Sequence, residues 1–416
     1  MIKKLCIAVI AVMSVLHARA QEGATASPYS FFGIGTQQFK GTAENRSMGG
    51  LSIFSDETRF NLVNPASLGK RRFTSFSIGG THSEITQKQD GLEAETSATR
   101  LNYMAIGFPI TKKMGLSFGL VPFSSVGYDI RTGDDEVFNI FEGKGGINRV
   151  FLSTGFQIMD GLYIGATANY NFGNLQNDVV STQEDVELGT RERNRSDLSG
   201  LNFNFGVQYD RMITDKLELS LSASYAPGSD IKAENTRTFS SVIFNNLGLL
   251  TDLDIRDVNA PNTTFNFPAS ATIGAGIGKE RVWFAGAEFA ARRASTFGSS
   301  RFDLSGVTFR RSSTVKLGGW YTPKFNSIRS YWDRITYRAG TRFEKVGLDI
   351  QGEEIEEFGI SFGLGLPAGR FGSNINLGFE LGQRGTTNAG LVQENFASVF
   401  LSFSFNDVWF LKTKFN

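Results

Sequence analysis

The chain has 416 residues with 42 basic and 41 acidic side chains, a balance that gives no electrostatic footprint for nucleic acid. One cysteine and two histidines leave thiolate and imidazole metal sites without ligands, so neither a metal nor another cofactor is expected. Gly (47) and Phe (38) are abundant and Pro (9) is scarce, which suits strands and tight turns better than helices.

Residues 1–20 read as a secretory signal. Lys3 and Lys4 precede the apolar run LCIAVIAVMSVL, and Ala18-Arg19-Ala20 is a small-x-small cleavage site. The run is too short to span a bilayer, and no later run reaches the ~18 apolar residues that a membrane helix needs. Cleavage removes Cys6, so the mature protein has no disulfide. It leaves 39 basic against 41 acidic residues.

Residues 21–70 do not alternate. They contain SPYSFFGIG, ENRSMGGLSIFSDE and NLVNPASLG. Asn64-Pro65 starts a turn, because Asn bonds its own backbone and Pro fixes φ. From residue 71 onward a period of two dominates. LNFNFGVQYD (201–210) alternates Leu, Phe, Phe, Val and Tyr with Asn, Asn, Gly, Gln and Asp, and GLYIGATANYNFG, KLELSLSASYAP, EEFGISFGLGLP, NINLGFELG and ASVFLSFSF repeat the pattern. Such strands have one apolar and one polar face. About fourteen are expected, starting near 72, 95, 114, 146, 161, 197, 216, 264, 281, 307, 333, 355, 371 and 395.

The connections decide which face is inside. TKK (111–113), MDG (159–161), TDK (214–216), KER (279–281) and PAGRFG (367–372) are short, and between them fall longer links such as 131–146 and 237–263. TPKFNSIRSYW (322–332) is an exception on the short rim. Short turns on one rim and long loops on the other are the habit of outer-membrane barrels. Only a closed sheet satisfies its backbone in lipid. The fold class is therefore all-β, a transmembrane antiparallel β-barrel of about fourteen strands (71–416), with its Asn/Gln/Asp faces turned inward. An even strand count puts both mature termini on the periplasmic rim of a Gram-negative outer membrane, with lipid around the wall.

The segment 21–70 resembles the start of FadL-type outer-membrane transporters. The matching positions are Arg46, Gly49, Gly50, Asn64, Pro65 and Ala66, and FPASATIGAGI (267–277) is similar to a late strand of that family. The resemblance implies an N-terminal hatch inside a fourteen-stranded barrel. It implies in addition that Pro122, in mid-strand, marks a side door to the membrane. Proline cannot donate to a sheet ladder, so a plain bulge explains Pro122 equally well, as a plain turn explains Asn64-Pro65-Ala66.

Three further features bear on function. Val242, Ile243, Phe244, Leu247, Leu249, Leu250 and Leu253 make the link 241–255 unusually apolar for a rim. They form a capture groove, a docking surface, or a cover folded over the mouth together with Val137, Phe138, Ile140 and Phe141. Glu288, Lys316, Arg338, Arg342 and Glu380 fall on lumen-facing positions, as a salt-bridged lining or, at Arg338 and Arg342, as a carboxylate site. His82 is the one histidine left after cleavage and no motif ties a serine to it, so an enzyme such as a lipase is not expected. The leading expectation is passive uptake of hydrophobic small molecules such as long-chain fatty acids. The alternative is a non-transporting barrel subunit of a protein-secretion or barrel-assembly (BAM-type) machine, with envelope proteins as partners.

Overall fold

The computed structural model describes residues 25–133, 137–244, 250–294, 306–369 and 371–409, so the signal segment 1–20 lies outside the described residues. The wall consists of fourteen antiparallel strands. In chain order they are β1 (Thr74–Gln89), β2 (Leu92–Thr111), β3 (Met114–Gly133), β4 (Val137–Met159), β5 (Leu162–Gln183) and β6 (Gly189–Thr214). β7 is Leu217–Ala226 and continues, past Pro227-Gly228, as Ser229–Phe244. β8 is Thr263–Phe267 and, past Pro268, Ser270–Lys279. β9 (Trp283–Arg292), β10 (Ser312–Tyr321), β11 (Thr336–Ile350), β12 (Glu353–Pro367), β13 (Asn374–Arg384) and β14 (Gln393–Asp407) complete the set. β14 pairs with β1 from Gln393↔Lys88 to Asp407↔Thr74, so the sheet closes on itself.

The inside and outside follow the alternation. In β6, Leu201, Phe203, Phe205 and Val207 are 45–56 % exposed on the outer wall, while Asn202, Asn204 and Gln208 are buried in the lumen. Strand starts expected from the alternation fall close to those found, except at β4 and β6. These begin at 137 and 189, whereas the pattern places them at 146 and 197. Above the apolar belt neither face needs to be greasy, so the period-two signal fades although the ladder goes on. For the same reason, much of the links 131–146 and 237–263 is strand. The rims therefore differ in hairpin height more than in coil length. The tall rim even has two-residue turns, at Asp90-Gly91 (φ 48° and 80°) and Gln351-Gly352 (φ 54° and 89°). Positive φ at both positions matches the hairpin twist.

Residues 25–73 lie within the barrel. Thr42 and Asn45 form a capping box that closes the single helical turn Ala43–Arg46. Asn64 caps the 3-10 turn Pro65–Lys70 by accepting from the Ala66 N–H at 3.0 Å. This segment climbs the lumen. The Gln87 side chain donates to the Ala26 carbonyl (2.7 Å) and the Tyr29 hydroxyl to the Val392 carbonyl (2.5 Å), both near the rim away from Thr74 and Asp407. Thr74 and Asp407 share a rim, but Thr25 sits in the opposite half, because the segment threads upward before the wall begins.

Candidate functional site

The N-terminal segment is held against two unlike stretches of wall. On the β9–β14 side the contacts are mainly charged. Arg46 Nε lies 2.5 Å from Glu380 and its Nη1 donates to Thr81 Oγ1 at 3.2 Å. Arg342 reaches both Glu380 (3.1 Å) and Glu357, and Arg384 continues the ladder to Glu357 (2.5 Å) and Glu394 (3.5 Å). Glu44 takes Arg59 (3.2 Å) from its own segment and Arg338 (3.3 Å) from the wall. Glu288 accepts from the Ser52 N–H (3.0 Å) and hydroxyl (2.6 Å), and pairs with Lys316 at 2.7 Å. Glu288, Arg338 and Glu380 contact the N-terminal segment directly, and Lys316 and Arg342 join them through Glu288 and Glu380.

On the β4–β8 side the contacts are mostly neutral. Asn64 Nδ2 donates to the Val207 carbonyl (3.0 Å) and to Ser222 Oγ (2.8 Å), while Ser55 donates to Gln208 (2.9 Å). Lys70–Asp210, at 2.6 Å, is the ion pair here. Asp56, near the base of the segment, is held below the usual carboxylate range: burial raises it, but Arg59 and the Thr58 and Arg59 N–H groups outweigh that.

Glycines in the wall let the backbone come this close. A Cβ on Gly340 or Gly318 would overlap the Met48 carbonyl, and one on Gly165 would overlap the Pro65 carbonyl. At Gly155 it would stand 2.7 Å from the Gly69 nitrogen. On the segment itself, Gly49 (φ 67°) presses on the Thr341 backbone and donates to Ser361 Oγ at 2.9 Å. The sequence signal for Gly49, Gly50 and Asn64-Pro65-Ala66 was local. Their partners Gly165, Gly318 and Gly340 carry no such signal, since a glycine on the polar face of a strand looks like any small polar residue.

Above this wedge lies a chamber of about 430 Å³. Its lining mixes Phe32, Phe123 and Phe267 with Lys40, Arg149 and Arg292. Arg149 stacks 4.2 Å over the Phe123 ring and donates to Asn171 (2.8 Å), and Arg292 bonds Gln37. Burial, then Arg149 and Lys316, push the Lys40 ammonium down to about 7.

Pro122 stands where a ladder ends. β2 and β3 pair from Thr111↔Met114 up to Met104↔Leu120 and not beyond. Above that level β2 pairs with β1 and β3 with β4, the latter with a shift between Pro122 and Ser124. The result is a slit in the wall, and a pocket there is lined by Leu101, Leu120, Pro122, Ser124 and Phe172. Thr36 and Gln37 of the N-terminal segment pair with Ser125 and Ser124, capping the β3 lip.

The apolar link is less open than expected. Val242 is buried with Ile140 and Val180, and Leu250 packs on that cluster. Val242 and Leu250 belong to a hairpin whose inner face packs on β4 and β5. Leu253 stays 39 % exposed and Ile243 is half-buried. Leu247, Leu249 and the Phe244 side chain lie outside the described residues. His82 bonds Thr99 (2.7 Å) and Glu84 (2.8 Å) on the wall.

A family model described as BamG matches residues 1–416. Among solved structures, the chain is similar to the Ralstonia pickettii toluene transporter TbuX at 14 % identity and TM-score 0.59, over 88 % of this chain and 99 % of that one. The Pseudomonas putida toluene transporter TodX aligns at 17 % identity and TM-score 0.57, over 89 % and 99 %. A Pseudomonas aeruginosa FadL homologue aligns at 13 % identity and TM-score 0.56, over 90 % and 98 %. No curated protein matches in sequence. These likenesses bear out the FadL-type resemblance at the level of fold, that of an outer-membrane barrel.

Proposed function

The chain belongs to the BamG family, and from that premise we propose that it is a hatch-closed barrel acting as a subunit of an outer-membrane barrel-assembly machine. The observation that carries this reading is the wedged lumen. The hatch is fixed to opposite walls by backbone-on-glycine contacts and by buried ion pairs, which suits a rigid element of a complex. Lys40, Arg149, Arg292 and Arg342 stand among the apolar side chains of the chamber, and buried ion pairs hold the hatch beneath it. The family name points the same way, towards machinery that inserts barrels.

Passive uptake of a hydrophobic small molecule is the second reading. The chamber and the slit share Arg100 and Pro122, which favours a side path from lumen to lipid through Pro122. The FadL-like fold is consistent with it. Neither reading asks for a catalytic residue. On either, the tall-hairpin rim faces the cell exterior, since long hairpins of outer-membrane barrels do so.

Depletion in living cells separates the two. The assembly reading expects unrelated outer-membrane barrels to fall in heat-modifiable form within a few generations. Normal assembly of those barrels, with uptake of a hydrophobic compound lost, would favour the second reading instead.

A further inference from the structure

One link on the short rim is out of proportion. Strands there are joined by two to six residues, whereas 322–335, between β10 and β11, has fourteen. It is built as an ordered turn. The Thr322 N–H donates to the Val282 carbonyl (2.7 Å) and the Lys324 N–H to the Asp333 carbonyl (2.8 Å). The buried Ser327 ties the centre, donating to Asp333 Oδ2 (3.2 Å) and accepting from the Ser330 N–H (3.2 Å). What this frame presents is apolar and basic. Ile328 is 100 % exposed, Trp332 71 % and Phe325 45 %. Lys324, Arg329 and Arg334 meet no carboxylate among the described residues. Arg334 stacks on the Tyr331 ring (5.2 Å), and Arg281 of the β8–β9 turn lies over the Phe325 ring (5.4 Å).

The wall beside this loop continues the same chemistry. Trp283 on β9, Tyr321 on β10 and Tyr337 on β11 are cross-strand partners in one row. Their chain neighbours Phe284, Trp320 and Arg338 are buried towards the lumen, so the row lies on the outer face. Trp and Tyr at the ends of membrane strands mark the level of the lipid headgroups. The Tyr337 hydroxyl donates to the Trp332 carbonyl (3.4 Å), which ties the loop to that outer side and not to the lumen. In bulk water Ile328 and Trp332 would stand bare. In the headgroup layer their apolar bodies are covered while neighbouring cations reach phosphate. Lys279, Arg281, Lys324, Arg329 and Arg334, five cations, face only Glu280 and Asp333 on this stretch of rim. That excess has the sign that anionic lipid attracts.

We infer that the loop 322–335 is a membrane anchor of the short rim. Trp332, Ile328 and Phe325 enter the headgroup layer, and Arg281, Lys324 and Arg329 bind the phosphates of anionic phospholipids. With the tall hairpins outside the cell, that layer is the periplasmic leaflet. The contact sets the depth of the β9–β11 side in the bilayer, on either reading of the function.

Residues 21–416 contain no cysteine, so Ile328→Cys takes a single environment-sensitive fluorophore in the full mature protein. The comparison label is Lys113→Cys, in the short turn between β2 and β3 on the same rim. Each variant is shown to be folded by heat-modifiability and placed in nanodiscs of phosphatidylcholine and phosphatidylglycerol. A nitroxide high on the lipid acyl chain should quench the label at 328 more than that at 113, and iodide in the buffer should do the reverse. Borne on phosphatidylglycerol, the nitroxide should quench the label at 328 about threefold more than the same nitroxide on phosphatidylcholine. Arg281→Gln, Lys324→Gln and Arg329→Gln together should bring that ratio to one. Equal access of iodide to both sites, without quenching from lipid, would overturn the anchor and leave the loop as a face for a periplasmic protein. Equal quenching by the two lipids, or a ratio unchanged in the triple variant, would overturn the phosphate contact.

Discussion

The two walls that grip the hatch use opposite chemistries. On the β9–β14 side Arg46 and Glu44 of the hatch meet Glu380 and Arg338, and Gly318 and Gly340 lie against the Met48 backbone; on the β4–β8 side Asn64 and Ser55 make neutral bonds, Gly155 and Gly165 lie against the backbone, and Lys70–Asp210 is the ion pair. The difference teaches where the grip is energetic and where it is steric. Buried ion pairs repay their desolvation only when every partner is present, so they are fragile to the loss of one member and tolerant of the loss of both. Neutral contacts at glycine depend on distance alone. They should fail abruptly once any Cβ appears and change little with charge.

The largest effect should therefore come from glycine. Gly165→Val and Gly340→Val each place a side chain in the hatch backbone, and the hatch must leave its seat. Limited proteolysis within residues 43–70, set against an intact heat-modifiable barrel, reads the outcome. A hatch as protected as in the native protein would mean that the wall yields instead.

Loss of one ion-pair member comes next. Glu380→Gln leaves Arg46 without its carboxylate and deprives Arg342 of one of its three, and breaking a buried pair of this kind costs ~3–5 kcal/mol. The paired substitution Arg46→Met with Glu380→Leu should restore much of that loss, as read by thermal unfolding in detergent. A double variant as weak as the single one would show that the charged wall is not limited by uncompensated charge.

A smaller effect is expected on the neutral wall. Asn64→Leu strands the Ser222 hydroxyl and removes the cap on the Ala66 N–H, at about 1–3 kcal/mol. The sharper reading is the contrast with charge. High salt should leave this defect unchanged.

The smallest effect depends on pH and belongs to Lys40 in the chamber. Its folded-state value of about 7 lies below the ordinary lysine value of 10.5, so folding expels a proton between these limits. Stability should rise from pH 7 towards 10.5 because the unfolded chain binds more protons there. Lys40→Met should flatten that rise and stabilise the protein most below pH 7. Parallel pH profiles for the two proteins would contradict the assignment.

The sequence disclosed the wall far better than the hatch contacts, for physical reasons. Lipid forces a strict alternation on LNFNFGVQYD, so the strand, its two faces and its inward Asn202 and Asn204 can be read directly. Charges such as Glu380 and Arg342 are anomalous on a strand and mark themselves. The partners Gly318, Gly340 and Gly165 do not, because what makes them matter is the backbone laid against them from 100 or more residues away. The upper parts of β4 and β6 stayed hidden for a related reason: outside the belt nothing imposes a period on them. The link 241–255 left a groove, a docking surface and a cover open, since a hairpin's inner face cannot be told from its outer face without Ile140 and Val180 beside it.

The most direct measurement is the native mass of the chromosomally tagged protein, drawn from its own outer membrane in mild detergent. The account predicts a stoichiometric complex that contains the central barrel-inserting subunit and survives salt and dilution. A monodisperse single chain, free of that subunit and able to pass a hydrophobic compound into vesicles, would contradict it.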